Sequence, residues 1–131
     1  MENYIDFINF SQYSLGSGML SIDEIVENAK KSNKSYASLT DTNTLSGIPE
    51  FMDKCNQNNI KPIVGVTLST KHQEKYIGEV TLIATNPTGF NDLKFLVSSL
   101  GKFKNDTHRT VELNEILKNS KNLLMIEGGK N

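Results

Sequence analysis

Apolar residues fall along the chain in short blocks whose spacing alternates between the period of a strand and that of a helix. Tyr4 to Phe10 carries Ile5, Phe7 and Ile8 in loose alternation and predicts a first strand. Ser11 to Leu20 contains Gly16 and Gly18 and predicts a loop. Ser21-Ile22-Asp23-Glu24 is a capping-box pattern, with the Ser21 hydroxyl placed to bond the Glu24 amide. Behind it Ile22, Ile25, Val26 and Ala29 share one helical face, and the helix should end near Ser32-Asn33.

Ser35 to Thr40 predicts a second strand, and Pro49 opens a helix through Phe51, Met52 and Cys55 to about Asn58. Lys61 to Ser69 holds Ile63-Val64-Gly65-Val66, a run suited to a strand covered on both faces. Lys71 to Gly78 is polar and predicts a loop; Val80 to Ala84 predicts a further strand within Glu79 to Thr85. Asn86-Pro87-Thr88-Gly89 signals a turn. Phe90, Leu93, Leu96, Val97 and Leu100 then mark a helix, and Leu113, Ile116 and Leu117 share a face of a short one. Leu123 to Ile126 is a fifth apolar strand, broken by Gly128-Gly129. Strands alternating with helices imply an α/β sheet with parallel pairs and crossover connections.

The length of 131 residues suits one domain with one core. The net charge of −1 gives no bulk field for nucleic acid, and the sole arginine, Arg109, offers little bidentate phosphate recognition. The single cysteine, Cys55, fits a reducing compartment, and neither a secretory signal nor a membrane-spanning apolar stretch is visible. These features predict a cytoplasmic protein or protein fragment.

In α/β folds chemistry gathers where the carboxyl ends of parallel strands meet the following loops. At those ends the chain offers two carboxylates, Asp41 and Glu127, where a hydrolytic metal centre needs several His, Asp, Glu or Cys ligands. His72 and His108 lie in polar connectors without a nucleophile or paired carboxylate nearby, and Ser14, Ser17 and Ser21 have no histidine partner. Cys55 reads as a small buried hydrophobe, and Lys30, Lys31 and Lys34 as charges suited to a helix end. Phe10 and Tyr13 are expected to fill the end of the fold where these strands meet.

Five motifs in register carry a family resemblance: Phe10-Ser11-Gln12-Tyr13-Ser14, the Ser21 to Lys30 helix, Ile60 to Val66, Asn86 to Leu96, and Glu112 to Gly129. With Leu39-Thr40-Asp41 and Asn43-Thr44-Leu45-Ser46-Gly47, they resemble the N-terminal polymerase-and-histidinol-phosphatase (PHP) domain of bacterial DNA polymerase III α subunits. The resemblance implies a partial, TIM-like β/α barrel, a single degenerate domain over 1–131 with about five mostly parallel strands of a complete barrel's about seven. Ligands from the second half of the barrel have no counterpart before Asn131, and the fifth strand is expected to offer an unpaired edge or an uncovered face.

The resemblance also implies where metal ligands would stand. The first histidine pair falls on Ile8 and Phe10, with Asp6 at the preceding inward position, and the acid of the first loop falls on Ser17. The aspartate after the second strand is kept as Asp41, the histidine after it is Thr42, and the acid after the third strand is Thr67. No cofactor, metal or catalytic residue is therefore expected. The resemblance implies a scaffold in DNA replication, bracing the polymerase and holding a proofreading exonuclease subunit, with DNA contacted only indirectly and no membrane partner. Nucleotidyl transfer would belong to polymerase domains elsewhere. Two rivals are a stand-alone, phage-like mimic that captures a replisome partner, and a divergent metallohydrolase using Asp6, Asp41 and Glu127.

Overall fold

A computed structural model of the chain describes residues 8–11, 13, 20–100 and 109–127. The predicted capping box forms: the Ser21 hydroxyl accepts from the Glu24 amide at 3.1 Å and the Glu24 carboxylate accepts from the Ser21 amide at 2.8 Å. It starts helix α1, Ile22–Lys31, which buries Ile22, Ile25, Val26 and Ala29. Strand β1, Tyr36–Leu39, follows, and helix α2, Ile48–Gln57, opens with Pro49 in its first turn and buries Ile48, Phe51 and Cys55. Met52 points outward, because the buried face of α2 has room for Phe51 and Cys55, four positions apart, and not for their neighbour.

Strand β2, Lys61–His72, is the spine of the sheet. Gly65, Val66, Thr67 and Leu68 are buried in succession, two residues further along than the expected run, of which Ile63 and Val64 are only partly buried. The expected loop over Lys71 to Gly78 is instead the tip of a hairpin. β2 runs to His72 and β3 spans Lys75–Ala84, joined by Gln73 and Glu74 at φ 52° and 70°. Both turn residues are left-handed, the geometry a two-residue hairpin needs, but neither is the Asn or Gly that signals it.

Helix α3, Pro87–Ser98, begins inside the turn expected over Asn86 to Gly89: Asn86 is its cap, and the Asn86 side chain accepts from the Gly89 amide at 2.8 Å. A two-residue strand β4, Val111–Glu112, leads into helix α4, Leu113–Lys118, and β5 spans Leu123–Glu127. In α4 only Ile116 is buried, while Leu117 is 53% exposed. Six residues make too short a helix to turn both against the sheet.

The sheet runs β1-β2-β3-β5 and is mixed. β1 and β4 pair parallel with successive parts of one edge of β2, whereas β2–β3 and β3–β5 are antiparallel. The parallel β1–β2 pair with its α2 crossover follows the sequence pattern; the hairpin supplies the antiparallel pairing. α1 and α2 cover β1 around Leu39 and Phe51, and α3 and α4 cover Val66, Leu68 and Leu82. Leu45 and Phe90 pack against both clusters and join them into one layer. Among the described residues β5 pairs only with β3, and Leu124 is 44% exposed.

Candidate functional site at the strand ends

Beyond β1 the chain continues along the edge of β2. The Thr67 amide donates to the Asp41 carbonyl at 3.0 Å and the Asn43 amide donates to the Thr67 carbonyl at 2.8 Å, which sets Thr42 opposite Thr67. Asn43 sits at φ 57°, a left-handed conformation that asparagine tolerates. Its side-chain oxygen accepts from the Ser69 amide at 3.1 Å, and its side-chain nitrogen donates to the Ser69 hydroxyl at 3.2 Å. The side chain of Asn43 thus does the work of backbone on the β2 edge, between β1 and β4.

The 8–11 segment lies against the same end. The Thr40 amide donates to the Asn9 carbonyl at 2.9 Å, the Asn9 amide donates to the Thr40 hydroxyl at 3.1 Å, and the Asn9 side chain donates to the Ser38 hydroxyl at 2.9 Å. Asp41 is 2% exposed. One carboxylate oxygen accepts from the Ser11 amide at 2.5 Å and the other from the Ser11 hydroxyl at 2.6 Å. A buried carboxylate is costly without such charge-assisted bonds. Ser11 Oγ also accepts from the Tyr13 amide at 3.1 Å. Beside this pair, Thr67 Oγ1 donates to the Thr40 carbonyl at 3.0 Å and lies 2.7 Å from Thr81 Oγ1.

The structure therefore gathers Asp41, Thr42 and Thr67 at one place and brings the backbone of Ile8 to Ser11 alongside. Ile8 is 38% exposed and Phe10 is half-buried. Asp6 and Ser17 lie outside the described residues, as do His108 and Ser14. Tyr13 does not fill the barrel end: its hydroxyl donates to Glu50 of α2 at 3.0 Å, and this bond, with the Glu50 charge, holds the phenol pKa above its ordinary value. Glu127 stands on β5, at the opposite side of the sheet order from β1, so Asp41 and Glu127 do not share a site. His72, expected to lie in a connector with no carboxylate nearby, instead stands at the end of β2 and faces Glu112 at 3.4 Å. Cys55 is fully buried, and burial pushes its thiol up to about 11, away from nucleophilic reactivity.

Ser11, Asn43 and Thr81 complete the site, and sequence reasoning did not single them out as functional residues. Their only signal is a polar residue where a neighbouring strand can be met, a pattern shared with many surface positions. A separate cleft between α1 and β1 has Asn9, Asn28, Lys34 and Tyr36 on its walls, with no acid, histidine or cysteine among the described residues that line it. Among the described residues no three His, Cys, Asp or Glu side chains come together in a way that could hold a metal ion. No helix among them is long and apolar enough to cross a membrane.

The fold is a mixed α/β sheet with flanking helices, part of an α/β barrel. An amidohydrolase from Chromobacterium violaceum, solved with bound sulfate, superposes with a TM-score of 0.53 over 70% of this chain and 32% of its own, at 20% identity. Residues 9–130 match the PHP domain, and the chain belongs to that family. It is 34% identical over 114 residues to DNA polymerase III subunit alpha of Staphylococcus aureus strain Mu50, covering 87% of this chain and 10% of that protein. It is 26% identical over 133 residues to the same subunit of Buchnera aphidicola subsp. Schizaphis graminum, covering 98% and 12%. The chain thus spans about a tenth of the length of these curated relatives. The match ties it to the PHP region of proteins of DNA replication.

The PHP fold raises the question of a metal, and the described residues do not fit one. Ile8, Phe10, Thr42 and Thr67, where the resemblance leads one to expect ligands, carry no imidazole or carboxylate, and Asp41 spends both carboxylate oxygens on Ser11. Apolar side chains offer no donor, and threonine hydroxyls are poor substitutes for imidazole or carboxylate.

Proposed function

We propose that the chain is a non-catalytic PHP module of a DNA polymerase III α subunit, serving replication as a scaffold that braces the polymerase and holds the proofreading exonuclease subunit. One observation supports this reading: Asp41 is a buried hydrogen-bonding partner of Ser11, at a place where the positions the resemblance implies as ligands, 8, 10, 42 and 67, hold Ile, Phe, Thr and Thr. Hydrolysis by metal-activated water needs a metal. A scaffold needs only a stable fold and a surface, which the two joined apolar clusters and the continuous β2 spine support.

The purified chain, titrated with a replicative exonuclease subunit in a sedimentation experiment, is expected to form a complex. It is also expected to show no turnover of p-nitrophenyl phosphate or single-stranded DNA with added zinc or manganese. Absence of a complex would count against the scaffold role. Metal-dependent turnover that survives purification and disappears in Asp41→Asn would count against the non-catalytic one.

A further inference from the structure

We propose that Asp41 is a structural anchor, whose carboxylate clasps Ser11 to the end of β1 and couples the 8–11 segment, the β2 edge and α2 into one cooperative unit. The inference goes beyond the scaffold reading, which leaves the strand ends without a task, and it holds whether or not a partner binds.

The chemistry fixes the direction of each bond. An ionised carboxylate only accepts, so both Ser11 groups donate to it. The Ser11 hydroxyl has one proton, and that proton is committed to Asp41 at 2.6 Å. Its oxygen is then the acceptor for the Tyr13 amide at 3.1 Å. Tyr13 in turn donates from its hydroxyl to Glu50 on α2, and its ring edge lies so near Gly47 that a Cβ there would meet Tyr13 Cδ2 at 3.0 Å. On the other side the Asp41 carbonyl accepts from the Thr67 amide of β2. A single residue therefore holds the 8–11 segment by its side chain and β2 by its backbone, and Ser11 passes the connection on to α2.

The environment makes the clasp consequential. Asp41 is 2% exposed and Ser11 0%. Among the described residues no lysine or arginine is ion-paired with Asp41, so the charge depends on the two Ser11 donors. Deleting the carboxylate strands the buried N–H and O–H of Ser11; deleting the Ser11 hydroxyl strands one buried carboxylate oxygen. Either loss is costly alone, and the second adds little once the first has occurred.

Equilibrium urea unfolding of the full chain tests this with Ser11→Ala, Asp41→Ala, Asp41→Asn and the double variants, each with chelator and with added zinc or manganese. The expected result is a loss of about tenfold or more in the folded-to-unfolded ratio for Asp41→Ala. The double variants should lose clearly less than the product of the single losses. Asp41→Asn keeps an acceptor oxygen for the Ser11 amide and should be partly rescued. Chelator and metal should leave the wild-type midpoint unchanged. Multiplicative single effects, or an indifferent Asp41→Ala, would overturn the proposal. So would a metal-induced rise in midpoint that Asp41→Ala abolishes, because Asp41 would then be a ligand. Where Asp41→Ala does not fold, the cycle with Asp41→Asn and hydrogen exchange of the wild-type Ser11 amide decide: slow exchange supports the clasp, and exchange at open-loop rates sinks it. Failure to bind an exonuclease would bear on the scaffold reading alone.

Discussion

The hydroxyl oxygens of Thr67 and Thr81 stand 2.7 Å apart across the β2–β3 pair, where the two residues face each other in register. Thr67 gives its proton to the Thr40 carbonyl, so Thr81 must donate into Thr67. A polar chain thus runs from β3 through β2 to the end of β1 in a place that is almost fully buried. Thr67→Val keeps the shape but leaves the Thr81 hydroxyl and the Thr40 carbonyl without this side-chain partner. A loss of about 1–3 kcal/mol is expected. The double variant with Thr81→Val should lose less than the sum of the singles. Urea unfolding of the four proteins checks both statements; additive losses would show that the hydroxyls act independently.

Gly65 has no room for a side chain. A Cβ at this position would run into the Leu82 carbonyl oxygen and come within 2.8 Å of Ile83 Cδ1, and both residues belong to the paired strand β3. Backbone in a paired strand cannot step aside cheaply. Gly65→Ala should cost about 3 kcal/mol or lose the fold. Thermal unfolding followed by circular dichroism measures it, and an unchanged midpoint would mean that β3 does not pack where the register puts it.

Cys55 should be silent to thiol reagents while the chain is folded. It is fully buried, and its pKa of about 11 leaves only a minute thiolate fraction at neutral pH. An aromatic disulfide reagent should react slowly in buffer and stoichiometrically in concentrated urea. Rapid labelling of the native protein would place Cys55 at the surface and contradict the packing of α2.

Alkaline pH should weaken the tie between Tyr13 and α2. The Tyr13 pKa is raised from 10.0, first by the Glu50 hydrogen bond and then by its charge. A group with a raised folded pKa contributes fully below its unfolded value and loses that contribution as pH rises through the folded value. The contribution of this contact should therefore be constant below about pH 10 and decline above it. Spectrophotometric titration of wild type against Tyr13→Phe should show one phenol ionising above its ordinary range. Tyr13→Phe should also remove this part of the alkaline destabilisation. A Tyr13 that titrates at or below its ordinary value would show that the bond to Glu50 is not made in solution.

Much of this architecture is written locally. The Ser21 to Glu24 capping box, the buried face of α1 and the Pro49 start of α2 all concern residues within a few positions of one another. Periodicity and capping report such neighbours directly, and the motifs set Asp41 and Thr42 just after β1, whereas Thr67, expected at a strand end, lies inside β2, which runs on to His72. Tertiary structure decided the rest. The Gln73-Glu74 turn carries none of the residues that usually betray a hairpin, so the antiparallel β2–β3 pairing follows from the partner strand and not from the turn. Leu117 and Met52 read as core residues by period and face outward, because packing against the sheet chose Ile116, Phe51 and Cys55 instead. The bond between Ser11 and Asp41 joins residues thirty positions apart. No local pattern specifies such a contact: it exists only when the 8–11 segment and the end of β1 are brought side by side, and burial then makes a hydrogen bond the least costly state for the carboxylate.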